Sequence, residues 1–333
     1  MSRRALVTGA AGQDGGYLVE HLLERGYEVH AQARTKPGRE RRRGITWHAG
    51  DVLDARVLRG LIATARPDEI YNLVSVSRPH RSWTIADEAL WVDALVPQQI
   101  CELMVELCPR ARLFQATSSE IFGDSAATPQ TENTPARPQT PYGIAKLHAH
   151  HTIAAYRKRY GLHVSSGIMF NHESPRRPLA FVSQKIAHAA AALSLGMRDT
   201  HEIDELGQPI LRNGWLRLGN LEVRRDFGFA GDYVEIMRLM LQAESADDYV
   251  IGTGTSHAIS KFCDVAFEAI GRDWREHVVS APELVRAVDS RHTMADATKL
   301  TARFNWRPKT DFATLVGMMV EERVRVLKES ARR

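Results

Sequence analysis

A tyrosine and a lysine four residues apart are the first candidates for catalysis in this chain of 333 residues. Tyr142 and Lys146 follow Thr140 and Pro141, which favour the N-cap and the first turn of a helix, so both side chains should project from one helix face. Because a nearby ammonium favours the phenolate, we expect Lys146 to lower the pKa of Tyr142 from its ordinary value of about 10. The pair is predicted to remove a proton from a substrate hydroxyl.

A carboxylate in the run Ser118-Ser119-Glu120 is the second candidate acid–base group. The run follows an apolar segment, residues 113–116, that is predicted to be a strand. Hydroxyls at the carboxyl end of a parallel strand lie where such sheets bind ligands, so Ser118 and Ser119 are predicted to contact substrate. A carboxylate in a dry cleft has a raised pKa and can shuttle a proton, which is the role predicted for Glu120.

A glycine-rich turn near the N-terminus predicts a dinucleotide site. It lies between a predicted strand, residues 5–7, and a predicted helix, residues 17–24. Glycine lets the backbone approach a pyrophosphate, which then rests on the positive N-terminus of the helix. The cofactor-binding residues predicted in this turn are Thr8, Gly9, Gly12, Gln13, Asp14 and Gly15.

The end of the second predicted strand, residues 28–31, distinguishes NAD from NADP. An acidic side chain there would bond the ribose hydroxyl of NAD and repel a 2′-phosphate, but the sequence has Arg34 instead. A guanidinium fork suits a phosphate, so we predict NADP. Asp51 and Val52 end the third strand and are further cofactor candidates. For Asp51, a bond to the adenine amine and a simple turn role remain alternatives.

Three histidines on the Tyr142 helix, His148, His150 and His151, do not have a partner acid at a metal-binding spacing. We therefore predict an exposed or subunit-contact face and no metal.

The predicted elements alternate along the first half of the chain. Short apolar runs at residues 5–7, 28–31, 45–48, 70–74 and 113–116 leave room for crossover helices. This alternation predicts a doubly wound parallel α/β sheet of the Rossmann type over residues 1–168. Residues 169–333 are predicted to be mainly a smaller substrate-binding domain, with the chain returning to the sheet once or more.

Composition excludes several classes of protein. Apolar residues make up 44% of the chain, charged residues 25%, and the net charge is +4, which is ordinary for a soluble protein. The sequence has no run near the roughly 20 apolar residues of a membrane span. The three cysteines do not suggest a disulfide framework, so we predict a cytoplasmic protein. The basic run at 39–43 has no interleaved aromatics, so nucleic-acid binding is not predicted; a solvated loop, a cofactor phosphate and a neighbouring subunit remain alternatives.

Taken together, these residues resemble the extended short-chain dehydrogenase/reductase family and, within it, the GDP-mannose 4,6-dehydratases. The resemblance runs from residue 5 to about residue 312. Its most specific part is the run Asn171-His172-Glu173-Ser174-Pro175-Arg176-Arg177. Further matching segments are residues 67–73, 118–120, 218–221 and 224–226.

The resemblance implies a nucleotide-sugar 4,6-dehydratase, with GDP-mannose as substrate, GDP-4-keto-6-deoxymannose as product and tightly bound NADP recycled in each turnover. Tyr142, supported by Lys146, would be the base at the 4-hydroxyl, and Ser118 would bond the 4-oxygen. Glu120 would take the C5 proton and help water to leave from C6. The residues that would hold the nucleotide diphosphate are Asn171, Arg225 and Arg286.

Several departures from the family pattern leave alternatives open. Arg78, in residues 74–79, adds a cation near the expected sugar, and residues 200–213 look like an insertion of roughly a dozen residues. Asp289 replaces a glutamate that helps to read the nucleotide, and the loop at 35–44 is shortened. The same dehydration of another nucleotide sugar, such as a heptose or one with a different base, is the main alternative. A nucleotide-sugar 4-epimerase and a cofactor-binding protein without catalysis are the others.

The resemblance also implies a homodimer. In the family, helices corresponding to residues 87–107 and 141–159 pack across a two-fold axis as a four-helix bundle. An apolar stripe on the first helix includes Leu90, Ile100, Leu103 and Met104, and Pro97 is expected to kink this helix. Because the shortened loop at 35–44 reaches a neighbouring subunit in the family, the prediction does not extend to a tetramer.

Overall fold

A computed structural model describes residues 2–35, 44–125 and 127–332. The strands in chain order are β1 (Arg4–Thr8), β2 (Glu28–Ala33), β3 (Ile45–Ala49), β4 (Glu69–Asn72), β5 (Arg112–Ser118), β6 (His163–Met169), β7 (His172–Glu173), β8 (Leu211–Arg212), β9 (Trp215–Leu218), β10 (Arg224–Asp226), β11 (Gly228–Phe229), β12 (Tyr249–Ile251), β13 (Ser256–Ala258) and β14 (Val278–Ser280). The α-helices are α1 (Gln13–Glu24), α2 (Ala55–Ala65), α3 (Ala86–Leu90), α4 (Val96–Leu107), α5 (Pro141–Tyr160), α6 (Val182–Ser194), α7 (Ala230–Gln242), α8 (Ile259–Glu268), α9 (Thr298–Phe304) and α10 (Phe312–Ser330).

Seven parallel strands form the central sheet, in the order β12-β6-β5-β4-β1-β2-β3. Parallel neighbours need crossover connections, and α1, α2, α4 and α5 supply them in the first half of the chain. The strand order reverses between β1 and β4, which opens a crevice at the carboxyl ends of these strands. The predicted doubly wound sheet of the Rossmann type is confirmed.

Two buried apolar layers cover the two faces of this sheet. Leu18 of α1 and Tyr233 of α7 belong to one layer, and Leu58 of α2 and Ile100 of α4 belong to the other. Each such side chain contributes about 1.5–3 kcal/mol through its burial. Because α7 and β12 come from the second half of the chain, that half completes the sheet layer as well as forming a lobe of its own.

The second lobe packs α6, α8 and α10 around a separate apolar core, which includes Ile186, Phe262 and Met319. A three-stranded sheet, in the order β14-β9-β8, borders this core. The division of the chain at residues 168 and 169 remains a prediction.

Residues 200–213 form a hairpin beside α6. The Thr200 amide donates to the Leu211 carbonyl at 3.0 Å, and the Asp204 amide donates to the Gln208 carbonyl at 2.7 Å. At the tip, Gly207 has a φ of +72°, which favours glycine. The insertion is therefore a compact element with its own hydrogen bonds.

The helical segment before β5 contains a π-helical turn, Trp91–Leu95, which joins α3 to α4 and ends two residues before Pro97. A regular α-helix would lack one amide donor at this proline. The kink expected at Pro97 remains a prediction. Ile100 and Met104 are fully buried in the core of the chain, and Leu103 packs against the same core. These three residues therefore do not supply the exposed stripe that was predicted. Within the described ranges, every helix is too short or too polar to span a bilayer.

Candidate active site

A cleft of about 560 Å³ lies at the carboxyl ends of the central strands and is closed on its other side by the second lobe. It brings together every predicted catalytic and substrate-binding residue and one residue of the glycine-rich turn. These lining residues are Asp14, Ser118, Ser119, Glu120, Tyr142, Lys146, Asn171, Arg225 and Arg286. Arg78, expected near the sugar, is absent from the described lining, although its neighbours Ser77 and Pro79 take part in it.

The start of α5 orients Tyr142 and Lys146 as the sequence predicts. The Thr140 hydroxyl accepts the Gly143 amide at 3.0 Å and caps the helix. Ser82 holds the same turn, because its hydroxyl accepts the Tyr142 amide at 3.2 Å and donates to the Pro79 carbonyl at 2.6 Å. The Lys146 ammonium lies 5.6 Å from the centroid of the Tyr142 ring.

Sequence reasoning missed Asp93, the partner of Lys146. The Lys146 Nζ lies 3.0 Å from Asp93 Oδ1, and the two side chains are only 2% and 0% exposed. Nζ also donates to the Ala116 carbonyl at 3.0 Å, and Asp93 Oδ2 accepts the Val76 amide at 3.0 Å. A lone acid within the apolar run of residues 89–96 was the available signal, because charged residues are rarely buried unless they are paired.

Burial, rather than the ammonium, decides the pKa of Tyr142. Loss of solvent raises the pKa of this phenol above its ordinary value, whereas Lys146 and the nearby hydroxyls of Ser118 and Ser75 lower it. Asp93 offsets much of the lysine charge, and its own charge raises the pKa of the phenol further. The expectation of a net lowered pKa was therefore wrong, although the direction of the Lys146 effect was right.

Glu120 lies on a single 3₁₀ turn, Ser119–Phe122, directly after β5. The Ser118 hydroxyl caps this turn by accepting the Glu120 amide at 3.3 Å. Burial raises the pKa of Glu120, the positive charges of Arg225 and Arg286 oppose the rise, and Asp289 adds to it. The direction agrees with the expectation for a carboxylate in a dry cleft, and it makes a proton shuttle chemically reasonable.

The glycine-rich turn has the backbone geometry of a close approach. Gly9 has a φ of +68°, and a Cβ on Gly15 would collide with the Gly9 carbonyl oxygen. Gly12 is the N-cap of α1 and makes no side-chain cap, so it does not satisfy the first amides of the helix. The Thr8 side chain is fully buried and donates to Asn72 at 2.5 Å, which joins β1 to β4 instead of facing a ligand.

Gln13 and Asp14 connect this turn to the run at residues 171–177. The side chain of Gln13 donates from Nε2 to the His172 carbonyl at 3.1 Å, and its Oε1 accepts the Ser174 hydroxyl at 2.7 Å. His172 Nε2 donates to Asp14 Oδ2 at 2.8 Å. Although burial opposes both shifts, the pair raises the pKa of His172 and lowers the pKa of Asp14. The two most specific motifs of the sequence are thus held together.

The residues at the predicted adenosine end of the cofactor site differ in exposure and in the contacts that they make. Arg34 is exposed directly after β2, whereas Gln32 is buried and accepts the Gly9 amide at 3.1 Å. Asp51 accepts the Leu53 amide at 3.0 Å, which is the turn role that the sequence left open. Val52 is buried in the core. The basic run at 39–43 and most of the shortened loop at 35–44 lie outside the described residues.

Two arginines and an aspartate line the cleft beyond Glu120. Arg225 Nη2 donates to Asp289 Oδ1 at 2.5 Å, and its Nη1 donates to the Ser290 carbonyl at 2.6 Å. Arg286 Nη1 lies 3.8 Å from the same Asp289 oxygen. This carboxylate therefore orients both guanidinium groups along one wall. The Asn171 carbonyl accepts the Gly228 amide at 2.9 Å, which positions its side chain at the cleft.

The three histidines of α5 do not converge on one point. His148 and His151 are exposed, and His150 Nδ1 lies 3.0 Å from the Ser166 hydroxyl. In the part of the chain that the structure describes, there is no group of three or more histidine, cysteine or acidic residues placed to hold a metal ion.

The model of the GDP-mannose 4,6 dehydratase family matches residues 6–319. The chain belongs to this family. The relative named GDP-mannose 4,6 dehydratase 1 from Arabidopsis thaliana is 39% identical, over 97% of this chain and 90% of its own length. This member of the dehydratase family shares its fold with a UDP-glucose 4-epimerase of Thermus thermophilus in complex with NAD, at a TM-score of 0.82, 24% identity, and coverage of 96% and 98% of the two chains. It also resembles RMD from Pseudomonas aeruginosa complexed with NADPH, at a TM-score of 0.80, 19% identity, and coverage of 98% and 100%.

Proposed function

We propose that this chain removes water from GDP-mannose and releases GDP-4-keto-6-deoxymannose, a lyase reaction. Membership of the family makes it a nucleotide-sugar 4,6-dehydratase. The observation that carries the finer proposal is the convergence of Ser118, Glu120, Tyr142 and Lys146 on one cleft with Arg225 and Arg286. The first four are acid–base groups and hydroxyls suited to a sugar, and the arginines suit a diphosphate.

Tyr142 is the base at the 4-hydroxyl in this proposal. Although burial raises the pKa of the phenol, the Lys146 ammonium lowers it and so favours the ionised form that takes the proton. The Ser118 hydroxyl, beside the phenol, would donate to the 4-oxygen. Lys146 keeps its ammonium next to the phenol through the 3.0 Å pair with Asp93.

Glu120 acts at C5 and C6. It takes the proton from C5, which is acidic once C4 is a ketone, and passes a proton to the 6-hydroxyl as that group leaves as water. A proton then returns to C5 from solvent through the same carboxyl. The raised pKa of Glu120, which burial causes, suits a group that must both take and give a proton.

A nicotinamide dinucleotide fits the residues at the β1–α1 turn, and we propose NADP. The uncapped N-terminus of α1 at Gly12 suits a pyrophosphate, and the exposed Arg34 suits a 2′-phosphate. Lys146 would hold the nicotinamide ribose. When bound, the cofactor accepts hydride from C4 and returns it to C6, so no external reductant is consumed.

Mass spectrometry on a panel of nucleotide sugars tests the proposal. The purified enzyme, without added NADPH, should form a product lighter by one water from GDP-mannose. Water loss from a heptose nucleotide or another base would select the main alternative. Interconversion of 4-epimers without water loss would select the epimerase instead, and Glu120 argues against that outcome because epimerisation needs no C5 base.

A further inference from the structure

The hairpin at residues 200–213 contributes a carboxylate to the cleft, and the reaction at the sugar does not use it. Glu205, at the tip of this hairpin, lines the cleft together with Lys185 of α6. Lys185 Nζ lies 2.7 Å from Glu205 Oε2, and the two side chains are 5% and 32% exposed. One carboxylate oxygen therefore pairs with a buried ammonium, and the partly exposed carboxylate lines the cleft.

The hairpin is held in one position at its base and at its tip. At the base, Glu202 Oε2 lies 3.3 Å from Nε2 of the fully buried His188, and Arg323 Nη2 lies 2.9 Å from His188 Nδ1. At the tip, the Asp204 carboxylate accepts the amides of Leu206 and Gln208 at 2.8 Å and 2.9 Å. Glu205 lies between Asp204 and Leu206, so its backbone is fixed by the turn.

Arg286 acts on two carboxylates of the cleft. Its positive charge opposes a rise in the pKa of Glu120 and helps to lower the pKa of Glu205, and both acids line the cleft together with Arg225 and Arg286. In the proposed function the two arginines hold the diphosphate and Glu120 acts at the sugar, so the nucleoside is the part of the ligand that is left for Glu205.

A carboxylate repels a diphosphate, so a ligand group next to Glu205 must offer hydrogen-bond donors. The edge of guanine presents two adjacent donors, the ring N1–H and the 2-amino group, which match a carboxylate. Uracil and thymine present one N–H between two carbonyl oxygens, which a carboxylate repels. Asp289, another acid that lines the cleft, forms ion pairs with Arg225 and Arg286.

We propose that Glu205 is a specificity-determining residue that selects guanine nucleotides by accepting the N1–H and 2-amino donors of the base, while Lys185 holds the carboxylate in place. This proposal rests on the proposed function for the order of the ligand in the cleft. It assigns a role to the insertion, which departs from the family pattern.

Calorimetric titration of the enzyme with GDP, inosine diphosphate and UDP tests this proposal. The wild-type protein should bind GDP at least about tenfold more tightly than UDP, and inosine diphosphate, which lacks the 2-amino group, should bind at an intermediate level. Glu205→Gln should weaken GDP about 10- to 100-fold and change UDP less than about threefold. Glu222→Gln is the matched control, because Glu222 is exposed between lining residues Asn220 and Val223 without lining the cleft itself.

Equal losses for GDP and UDP in Glu205→Gln would overturn the proposal, because Glu205 would then act only by holding Lys185. Equal wild-type affinities for GDP and inosine diphosphate would also overturn it, and this measurement needs no variant to fold. A wild-type preference for GDP with no water loss from GDP-mannose would contradict the proposed function and leave the role of Glu205 intact.

Discussion

Burial is the main influence on the two acid–base groups proposed to act on the sugar, Glu120 and Tyr142. The pKa of Glu120 and the pKa of Tyr142 are both raised mainly by loss of solvent, and nearby charges only moderate these shifts. Each group therefore depends on its neighbours: Tyr142 on the buried Lys146–Asp93 pair, and Glu120 on Arg225 and Arg286. Predictions at the residue scale follow from removing one group at a time.

Glu120→Gln should separate oxidation from dehydration. The variant should fold, bind cofactor and still exchange hydride with substrate, but release of the 6-deoxy product should fall about 10²- to 10⁴-fold. In deuterated water the wild type should incorporate label at C5, and this variant should not, as followed by mass spectrometry. Tyr142→Phe is the comparison, since it should block both stages. Dehydration by Glu120→Gln at the wild-type rate would make the carboxylate structural.

Asp93→Asn should shift the pH dependence of kcat. Burial lowers the pKa of Lys146, but Asp93, together with Tyr142 and Asp14, outweighs burial and the pKa is raised overall. Without the carboxylate the ammonium loses its proton at lower pH, so activity should fall on the alkaline side at a lower pH than in the wild type. Breaking a buried pair costs about 3–5 kcal/mol, so the unfolding temperature is measured in parallel. Asp124, another acid that lines the cleft, provides the control: Asp124→Asn should leave the alkaline fall in kcat at the wild-type pH. If Asp93→Asn also leaves this fall unchanged, Asp93 has only a structural role.

At the scale of elements, the strand ends and helix starts of the first lobe carry the residues proposed to bind the cofactor. The carboxyl end of β2 presents Arg34, and the N-terminus of α1 is joined to β7 through Asp14 and His172. Arg34 follows directly from where β2 ends, whereas the Asp14–His172 pair joins residues that are far apart in the sequence. Each allows a prediction that leaves the catalytic groups untouched.

Arg34→Glu should reverse the cofactor preference. A carboxylate at this position repels a 2′-phosphate, so NADP binding should weaken about 10- to 100-fold while NAD binding changes little. Isothermal titration with both cofactors measures this. The control Arg56→Glu makes the same charge change at the largely exposed start of α2 and should alter neither affinity. A wild-type protein that prefers NAD would contradict the assignment of NADP.

The Asp14–His172 pair should make stability fall as pH rises. Burial lowers the pKa of His172, yet Asp14 raises it above its ordinary 6.5 overall, so its stabilisation is full below 6.5 and is lost as pH rises through the folded value. Urea unfolding of the wild type and of His172→Gln should differ by about 1–2 kcal/mol at pH 6. That difference should shrink towards pH 9. A constant difference at all pH values would mean that the imidazole carries no charge in the folded protein.

At the scale of the whole molecule, exposed apolar groups on neighbouring helices bear on the proposed dimer. Leu90 and Trp91 are 45% and 50% exposed on the α3–α4 segment, and Ile144 is 55% exposed on α5, which packs against that segment. The predicted two-helix interface is retained as a proposal. Leu90 keeps its place in the stripe, and Trp91 and Ile144 replace Ile100, Leu103 and Met104, which pack in the core. Covering such a surface is a common reason for a dimer.

We expect a homodimer in solution at micromolar concentration, measured by light scattering. The double variant Trp91→Asp with Ile144→Asp should be monomeric, because two buried carboxylates without partners would oppose the interface. Ile203→Asp is the matched control, since Ile203 is 60% exposed on the hairpin, away from these helices. A monomeric wild type, or a dimer unaffected by the double variant, would place the interface elsewhere.

The sequence by itself determined the local parts of this protein. The turn at Gly9 and Gly15, the cap at Thr140 and the four-residue spacing of Tyr142 and Lys146 all depend on backbone geometry within a few residues. Strand periodicity likewise predicted the sheet, because a strand buried on both faces must be apolar along its length. The family could also be indicated from the sequence, because its motifs are short runs of consecutive residues, such as residues 171–177.

Only the tertiary structure decided which charges meet. Asp93 with Lys146, Asp289 with Arg225 and Glu205 with Lys185 join residues from separate elements, and residue type and spacing do not specify such pairs. The pKa of Tyr142 has the same origin, because loss of solvent depends on everything packed around the phenol, whereas spacing along α5 reveals only the neighbouring ammonium. The role of the insertion as a wall of the cleft likewise appears only when the hairpin docks on α6, because a loop sequence does not state which surface it covers.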